Sequence, residues 1–119
     1  MKLIIAIIRP ERVDAVRAGL EAVLDERDSY RLTVQKVEGH GRQLGQTEYF
    51  RGTPVVAKLV NKVQITIGVN DRYVEPTLNA IIKGARSADG GAVGDGKIFV
   101  LPLEECVRIR TGERGGSAI

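Results

Sequence analysis

The chain of 119 residues is long enough for one compact domain but too short for two independent hydrophobic cores, so we expect a single domain over 1–119. Hydrophobic residues make up 43% and charged residues 28%, which is typical of globular proteins, and a net charge of +3 does not by itself indicate nucleic acid. No apolar run approaches the ~20 residues of a membrane span, and no signal-peptide pattern opens the chain. The single cysteine, Cys106, can form no internal disulfide, which suits a reducing compartment. We therefore expect a cytoplasmic protein without membrane insertion.

The first half of the chain predicts a strand, a helix and a second strand. The apolar run KLIIAII at 2–8 is typical of a strand covered on both faces. Pro10 suits the first turn of a helix that continues to about residue 26. The apolar side of this helix would consist of Val13, Val16, Leu20, Val23 and Leu24. LTVQKV at 32–37 alternates as a half-exposed strand does.

Residues 40–58 interrupt this pattern with glycines, a proline and no clear period. A structureless loop of this length in a compact domain is usually functional or disordered. His40, the only histidine, lies in it, and we expect its side chain to face solvent.

The second half predicts a strand, a helix, a glycine-rich loop at 87–97 and two further extended segments. KVQITIGV at 62–69 alternates cleanly and can pair with 32–37. Its apolar face would consist of Val63, Ile65, Ile67 and Val69. Asn70 and Asp71 can cap the helix. The apolar stripe of that helix would consist of Val74, Leu78, Ile81, Ile82 and Ala85. KIFVL and CVRIR then complete the chain as extended segments.

The order strand, helix, strand, strand, helix, strand predicts an α+β, ferredoxin-like fold (βαββαβ) with two helices on one face of an antiparallel sheet. The opposite face would carry much of the IIAII run together with Leu32 and Val34 or the alternate residues of their strand. That face is too apolar to be left in water. Most simply, another copy of the protein covers it.

Gly94, Asp95, Gly96 and Lys97 form the first candidate binding motif. Glycines let backbone N–H groups approach an anion closely, and the lysine adds a fixed positive charge, so the combination can cradle phosphate. It is not a Walker A loop, because the first glycine and the hydroxyl after the lysine of that motif are missing. An ordinary tight turn before a strand is the alternative.

Arg108 and Arg110 strengthen the phosphate interpretation. In an extended segment residues two apart share a face, so both guanidinium groups would point the same way while Val107 and Ile109 point into the core. Two arginines on one strand are often only solvated charge. Together with Lys97, they predict a polyphosphate clamp.

The sequence offers little apparatus for a reaction. It contains no evident acid pair, no Ser/His/Asp set and no Cys/His cluster, and Asp95 has no obvious carboxylate partner for a metal. A clamp without reacting groups favours a sensor over an enzyme. RNA-recognition modules share the fold class, but they stack bases on strand aromatics, and here only Phe99 lies in a predicted strand, so we expect no nucleic-acid partner.

The stretches GRQLGQTEYFRG, VGDGKIFV, VRIRTGERG and the initial AIIRP together resemble the PII nitrogen-regulatory signalling proteins, in order and over essentially the whole chain. The resemblance implies a non-enzymatic homotrimer of ferredoxin-like subunits that binds ATP or ADP competitively in each cleft between neighbouring subunits. It also implies that residues 40–58 dock onto a membrane transporter, such as an ammonium channel, or onto a metabolic enzyme.

The resemblance also implies roles for single residues. The phosphates would be held by Gly94, Asp95, Gly96, Lys97, Arg108 and Arg110, drawn from two subunits. Thr33, Arg42 and the backbone near Gly68 would also contact the nucleotide. In relatives, Mg-ATP and 2-oxoglutarate fix the base of the long loop. Gln43 would join that metal site, and Lys62 would meet a carboxylate of 2-oxoglutarate.

Several positions depart from the pattern of the family. Val55 replaces the tyrosine that many bacterial members have nucleotidylated, Leu44 replaces the lysine of GRQKG, and Thr66 replaces a common glutamate. The stretches DERDSYR and RSADGGAVG are each a few residues longer than usual. These changes leave open a role with inorganic carbon, in which a PII-like protein senses bicarbonate and acts on a bicarbonate transporter or carboxysome, or a role in metal efflux. A slow ATPase that uses the same clamp is the alternative outside this class.

Overall fold

The computed structural model describes residues 1–24, 32–40, 49–54 and 59–119. In chain order its strands and α-helices are β1 (Lys2–Ile8), α1 (Val13–Val23), β2 (Thr33–His40), β3 (Tyr49–Phe50), β4 (Thr53–Pro54), β5 (Leu59–Val69), α2 (Val74–Ala85) and β6 (Gly96–Pro102). β3 and β4 pair with each other as a small separate sheet, and the remaining elements follow the predicted order. The ferredoxin-like α+β fold is therefore confirmed.

The main sheet has the strand order β2-β5-β1-β6, and each neighbouring pair is antiparallel. β1 lies in the interior, where Ile4 is opposite Ile67 of β5 and Val100 of β6. Both helices pack on the face that carries the alternate residues of β5, and these are buried as predicted. The buried residues of β5 are Val63, Ile65, Ile67 and Val69.

The two helices approach each other closely through small residues. A Cβ at Gly84 of α2 would lie 2.8 Å from the Cα of Val16 in α1, so only glycine allows this contact. The predicted stripes are correct for most positions, but Val23 and Ile82 are 38% and 39% exposed. Because α2 turns its small residues toward α1, Thr77, Ala80, Ile81, Gly84 and Ala85 form its buried side, and Ile82 lies at the margin.

The face of the sheet away from the helices (the open face) is strongly apolar. It carries alternate residues of β1 and β6, with Ile5 opposite Phe99 and Leu3 opposite Leu101. Phe99 is 49% and Leu101 41% exposed in the single chain. Leu32 and Val34 are not part of this face, since Leu32 packs against the core and Val34 is opposite the buried Ile65. The apolar character of the open face comes from the interior strand β1 and the edge strand β6.

The strands on either side of the loop predicted at 40–58 end and begin close to the expected bounds, and part of the loop, residues 49–54, forms a short hairpin. β2 extends to His40, whose side chain is exposed as predicted, and β5 begins at Leu59. Between them, β3 and β4 form a hairpin whose turn residues Arg51 and Gly52 have φ of 53° and 78°. Two consecutive positive φ angles are typical of the tight turn that matches strand twist. The other residues of the predicted loop lie outside the described ranges.

The segment CVRIR, predicted as an extended segment with Val107 and Ile109 in the core, does not join the sheet. Val107 forms an isolated bridge with Arg114, and a tight turn between them is closed by hydrogen bonds from Arg108 N to Glu113 O and from Gly112 N to Arg108 O. Gly112 adopts a φ of 72°, which turns the chain back. The side chains expected in the core are exposed, Val107 by 47% and Ile109 by 99%, because the segment lies beyond the sheet.

Candidate functional site

The loop between α2 and β6 is shaped by glycines that other residues could not replace. Gly94 and Gly96 have φ of 94° and 120°. A Cβ at Gly96 would lie 1.8 Å from the carbonyl oxygen of Ile7, so the backbone of β6 can begin beside β1 only with glycine there. Lys97 follows directly, opposite Ile7 and on the open face.

The carboxylate of Asp95 holds this loop together. The Ser87 hydroxyl donates to Oδ1 at 2.6 Å, the Ala92 N–H donates to Oδ2 at 2.7 Å, and the Nε of Arg9 donates to Oδ1 at 3.0 Å. These donors, Ser87 first, then Ala92 and Arg9, lower the pKa of Asp95 far below its ordinary value of 3.8, against the opposing effect of burial. The side chain of Asp95 is thus committed to the loop itself.

Two cations outside the loop bind its carbonyl oxygens. A terminal nitrogen of Arg9 donates to the Val93 carbonyl at 2.9 Å, and the Lys62 ammonium donates to the Gly94 carbonyl. The N–H groups of Val93 and Gly94 have no acceptor among the described residues. Successive free N–H groups at a glycine of positive φ form a concave anion-binding surface. We name residues 87–97 with Arg9 and Lys62 the glycine-loop half-site.

A pocket of about 620 Å³ adjoins the glycine-loop half-site. Its lining combines apolar Ile81, Ile82 and Ile98 with basic Arg86. Mostly apolar walls with a few charged groups are typical of sites for small organic molecules. The positive charge of Arg86 favours an organic anion.

The second group of predicted residues lies in the segment after β6. Arg108 forms an ion pair with Glu113 at 2.8 Å, and its other terminal nitrogen donates to the Ser117 carbonyl at 3.1 Å. Arg110, by contrast, is exposed and has no ion pair with any residue that the structure describes. The Asn70 amide donates to the Gly116 carbonyl and so attaches this segment to the end of β5. We name residues 105–119 the C-terminal half-site.

Two further predicted contacts lie on β2 and β5. Thr33 is exposed and opposite Thr66, which puts it on the open face, at the start of the edge strand β2. Gly68 is nearer to the C-terminal half-site, since a Cβ there would meet Leu103 at 3.4 Å and Ile119 at 3.9 Å. Arg42 and Gln43 lie outside the described residues, and no cluster of potential metal ligands occurs within them.

The two half-sites lie at opposite ends of the sheet. Ile8, next to the glycine-loop half-site, pairs with Gly96, whereas Lys2 at the other end of β1 pairs with Pro102. Six residue steps along a strand amount to about 20 Å. Within one chain, Lys97 and the arginines of the predicted clamp are therefore not brought together.

Sequence reasoning missed Arg9, Ser87 and Glu113. The sequence pattern assigns no individual role to Arg9, yet its side chain contacts Asp95, 86 positions away. The one available signal was topological, because the predicted fold places the end of β1 beside the start of β6. The partners of Ser87 and Glu113 follow from loop geometry that the sequence pattern does not encode.

Comparison with known proteins gives a consistent result. A sequence model of the family described as Nitrogen regulatory protein P-II matches residues 1–113. Nitrogen regulatory protein GlnK1 of Methanosarcina mazei is 50% identical over 119 residues, which cover all of this chain and 97% of the relative. Nitrogen regulatory protein P-II 2 of Methanothermobacter thermautotrophicus is 45% identical with the same coverage. Nitrogen regulatory protein P-II of Azospirillum brasilense is 45% identical over the full length of both chains.

Proposed function

The chain belongs to the nitrogen regulatory protein P-II family, whose members are regulatory signal transducers, and from this premise we propose that it senses adenine nucleotides between the subunits of a trimer. The observation that carries the proposal is the separation of the two half-sites. A polyphosphate can touch Lys97 and Arg108 together only if they come from different copies.

The chemistry of the half-sites suits a nucleoside di- or triphosphate. The free N–H groups of Val93 and Gly94 and the ammonium of Lys97 supply one side of an anion site. Arg108 and Arg110 supply the other, and charge-assisted hydrogen bonds to phosphate are among the strongest in proteins. Thr33, Arg42 and the backbone at Gly68 complete the proposed contacts to the nucleotide.

The open face supports assembly. Phe99 and Leu101 are largely exposed in the single chain and lie in a continuous apolar surface that is unfavourable in water. Packing three sheets around a common axis would bury this surface. Light scattering should give about three times 12.9 kDa. A stable monomer at micromolar concentration would remove the shared site from the proposal.

The output of the protein would pass through residues 40–58. The β3–β4 hairpin presents the exposed Arg51 at its turn, which suits insertion into a partner's cavity. We propose a transporter of the ammonium or bicarbonate type, or a metabolic enzyme, as that partner.

Among the described residues no helix is long and apolar enough to cross a membrane. We place the protein in the cytoplasm, where such a partner would present its inner surface.

A second ligand would act at the base of the same loop. We propose that Mg²⁺ binds with ATP and with Gln43, and that Lys62 meets the carboxylate of 2-oxoglutarate or a smaller anion such as bicarbonate. Lys62 is bonded to the Gly94 carbonyl, so an anion that engages Lys62 would act directly on the phosphate-binding loop. Separate titrations with 2-oxoglutarate and bicarbonate, with and without Mg-ATP, distinguish nitrogen from carbon sensing.

Mixing two defective variants tests the shared site most directly. Lys97→Ala and Arg108→Ala should each weaken ATP and ADP binding roughly ten- to a hundredfold. A trimer that contains both variants regains about one intact site, because its Lys97 and Arg108 meet across one interface. Calorimetry on co-expressed, doubly tagged trimers should therefore recover tight binding. Restored binding would establish the shared site, and failure to restore it would contradict that arrangement.

The same samples should show no ATP turnover above background, which separates a sensor from the slow-ATPase alternative.

A further inference from the structure

We infer that Ser87 and Arg9 are positioning residues for the phosphates of a bound nucleotide, and that they act by fixing Asp95 and the Val93 carbonyl so that loop N–H groups face the ligand. The inference rests on the proposed function. No contact between either residue and the nucleotide is required.

A peptide loop can offer a ligand either its N–H or its C=O groups, and only the former bind phosphate. In this loop the carbonyls of Val93 and Gly94 are held by Arg9 and Lys62. The N–H groups of the same two residues are left without an acceptor among the described residues. The cations therefore select the orientation of the loop that suits an anion.

Asp95 makes this orientation stable from inside the loop. Its two oxygens accept from the start of the loop at Ser87, from the middle at Ala92, and from Arg9 at the end of β1. The Ser87 bond is the shortest of the three at 2.6 Å. Asp95 thus acts as an internal anion that leaves the outward N–H groups unoccupied.

The network restrains a glycine-rich part of the chain. Gly90 and Gly91, which lie in the stretch RSADGGAVG, have φ of 79° and 85°. A glycine-rich segment has more conformations to exclude before it can receive a ligand. Ser87 and Asp95 join the two ends of this stretch and remove that freedom.

The matched pair Ser87→Thr and Ser87→Val tests the inference, since the two side chains have similar shapes and differ in the hydroxyl. Ser87→Thr should bind ATP as the unchanged protein does, and Ser87→Val roughly three- to tenfold more weakly. Adenosine, which has no phosphate, should bind equally to both. Equal ATP affinity in the two variants, or an equal loss for adenosine, would overturn the positioning role.

A second variant and a second measurement keep the result interpretable. In Asp95→Asn the amide must direct its NH₂ either toward the Ala92 N–H or toward Ser87 and Arg9, so at least one donor loses its acceptor and ATP binding should fall tenfold or more. Amide NMR spectra of the unliganded protein should show shifted or doubled Gly94 and Gly96 signals in Asp95→Asn and Ser87→Val, and unchanged signals in Ser87→Thr. If the unchanged protein binds no ATP, the proposed function fails. The NMR spectra alone then support or overturn the conclusion that Ser87 and Asp95 fix the conformation of the loop.

Discussion

The two ends of the sheet hold their charged side chains in different ways. At the glycine-loop half-site the contacts come from the end of β1, from β5 and from the end of α2, and the Asp95 side chain is only 15% exposed. At the C-terminal half-site, Arg108 is held by Glu113 and Ser117 of its own segment and is 35% exposed. The first is built by the fold and the second by a local turn. We expect a rigid surface at one end and adjustable side chains at the other.

The largest expected effect is on stability and compares two glycines. Gly96→Ala would place a Cβ 1.8 Å from a backbone oxygen at a φ of 120°, and should cost about 2–5 kcal/mol in the free energy of unfolding. Gly112→Ala, at a φ of 72° with no atom within 4 Å, should cost only about 1 kcal/mol. Urea denaturation of both variants measures the difference, and similar losses would contradict the distinction between the two ends.

A smaller effect is expected from removing one ionic partner at each end. Arg9→Gln leaves Asp95 without its guanidinium and the Val93 carbonyl without a donor, so it should cost about 1–2 kcal/mol. Glu113→Gln breaks an exposed pair that water already screens, and should cost less than about 0.5 kcal/mol. Thermal unfolding at matched protein concentration tests this order. A larger loss for Glu113→Gln would show that the local turn is the more rigid end.

The smallest effect concerns pH. The pKa of Asp95 is depressed in the folded protein, chiefly by Ser87, so its contribution to stability is fully present above the ordinary value of 3.8 and is lost only as the pH falls through the depressed one. Lowering the pH from about 7 to about 5 should therefore leave the amide signals of Gly94 and Gly96 in place. Signals that move in that interval, in a titration that follows Asp95, would place its pKa higher than these contacts indicate.

The fold could be predicted because its elements have strong local patterns. The strict alternation along β5 and the helical spacing of Val16 and Leu20 identified type and buried face from neighbours in the sequence alone. The exposed face of Ile82 could not be predicted, because it depends on how closely Gly84 lets α1 approach. Alternation also misled at Val107 to Arg110, where the pattern is that of a strand but the segment joins no sheet that the structure describes.

The candidate site was only partly predictable for a similar reason. Glycines and Lys97 carry a local motif, and their loop lies where it was expected. The attachment of that loop to Arg9 joins residues 86 positions apart, and no spacing rule connects them. Lys97 and Arg108 are separated because they lie at opposite ends of β6, which runs the length of the sheet beside β1.

The open face has a consequence for how the stability of this protein depends on its concentration. Under the proposed trimer, the apolar side chains of Leu3, Phe99 and Leu101 are removed from water only by neighbouring copies, so folding and association share one equilibrium. The midpoint of thermal unfolding should then rise with total protein, by mass action, rather than stay fixed as for a monomer. Dilution would then weaken the proposed nucleotide site and the fold together.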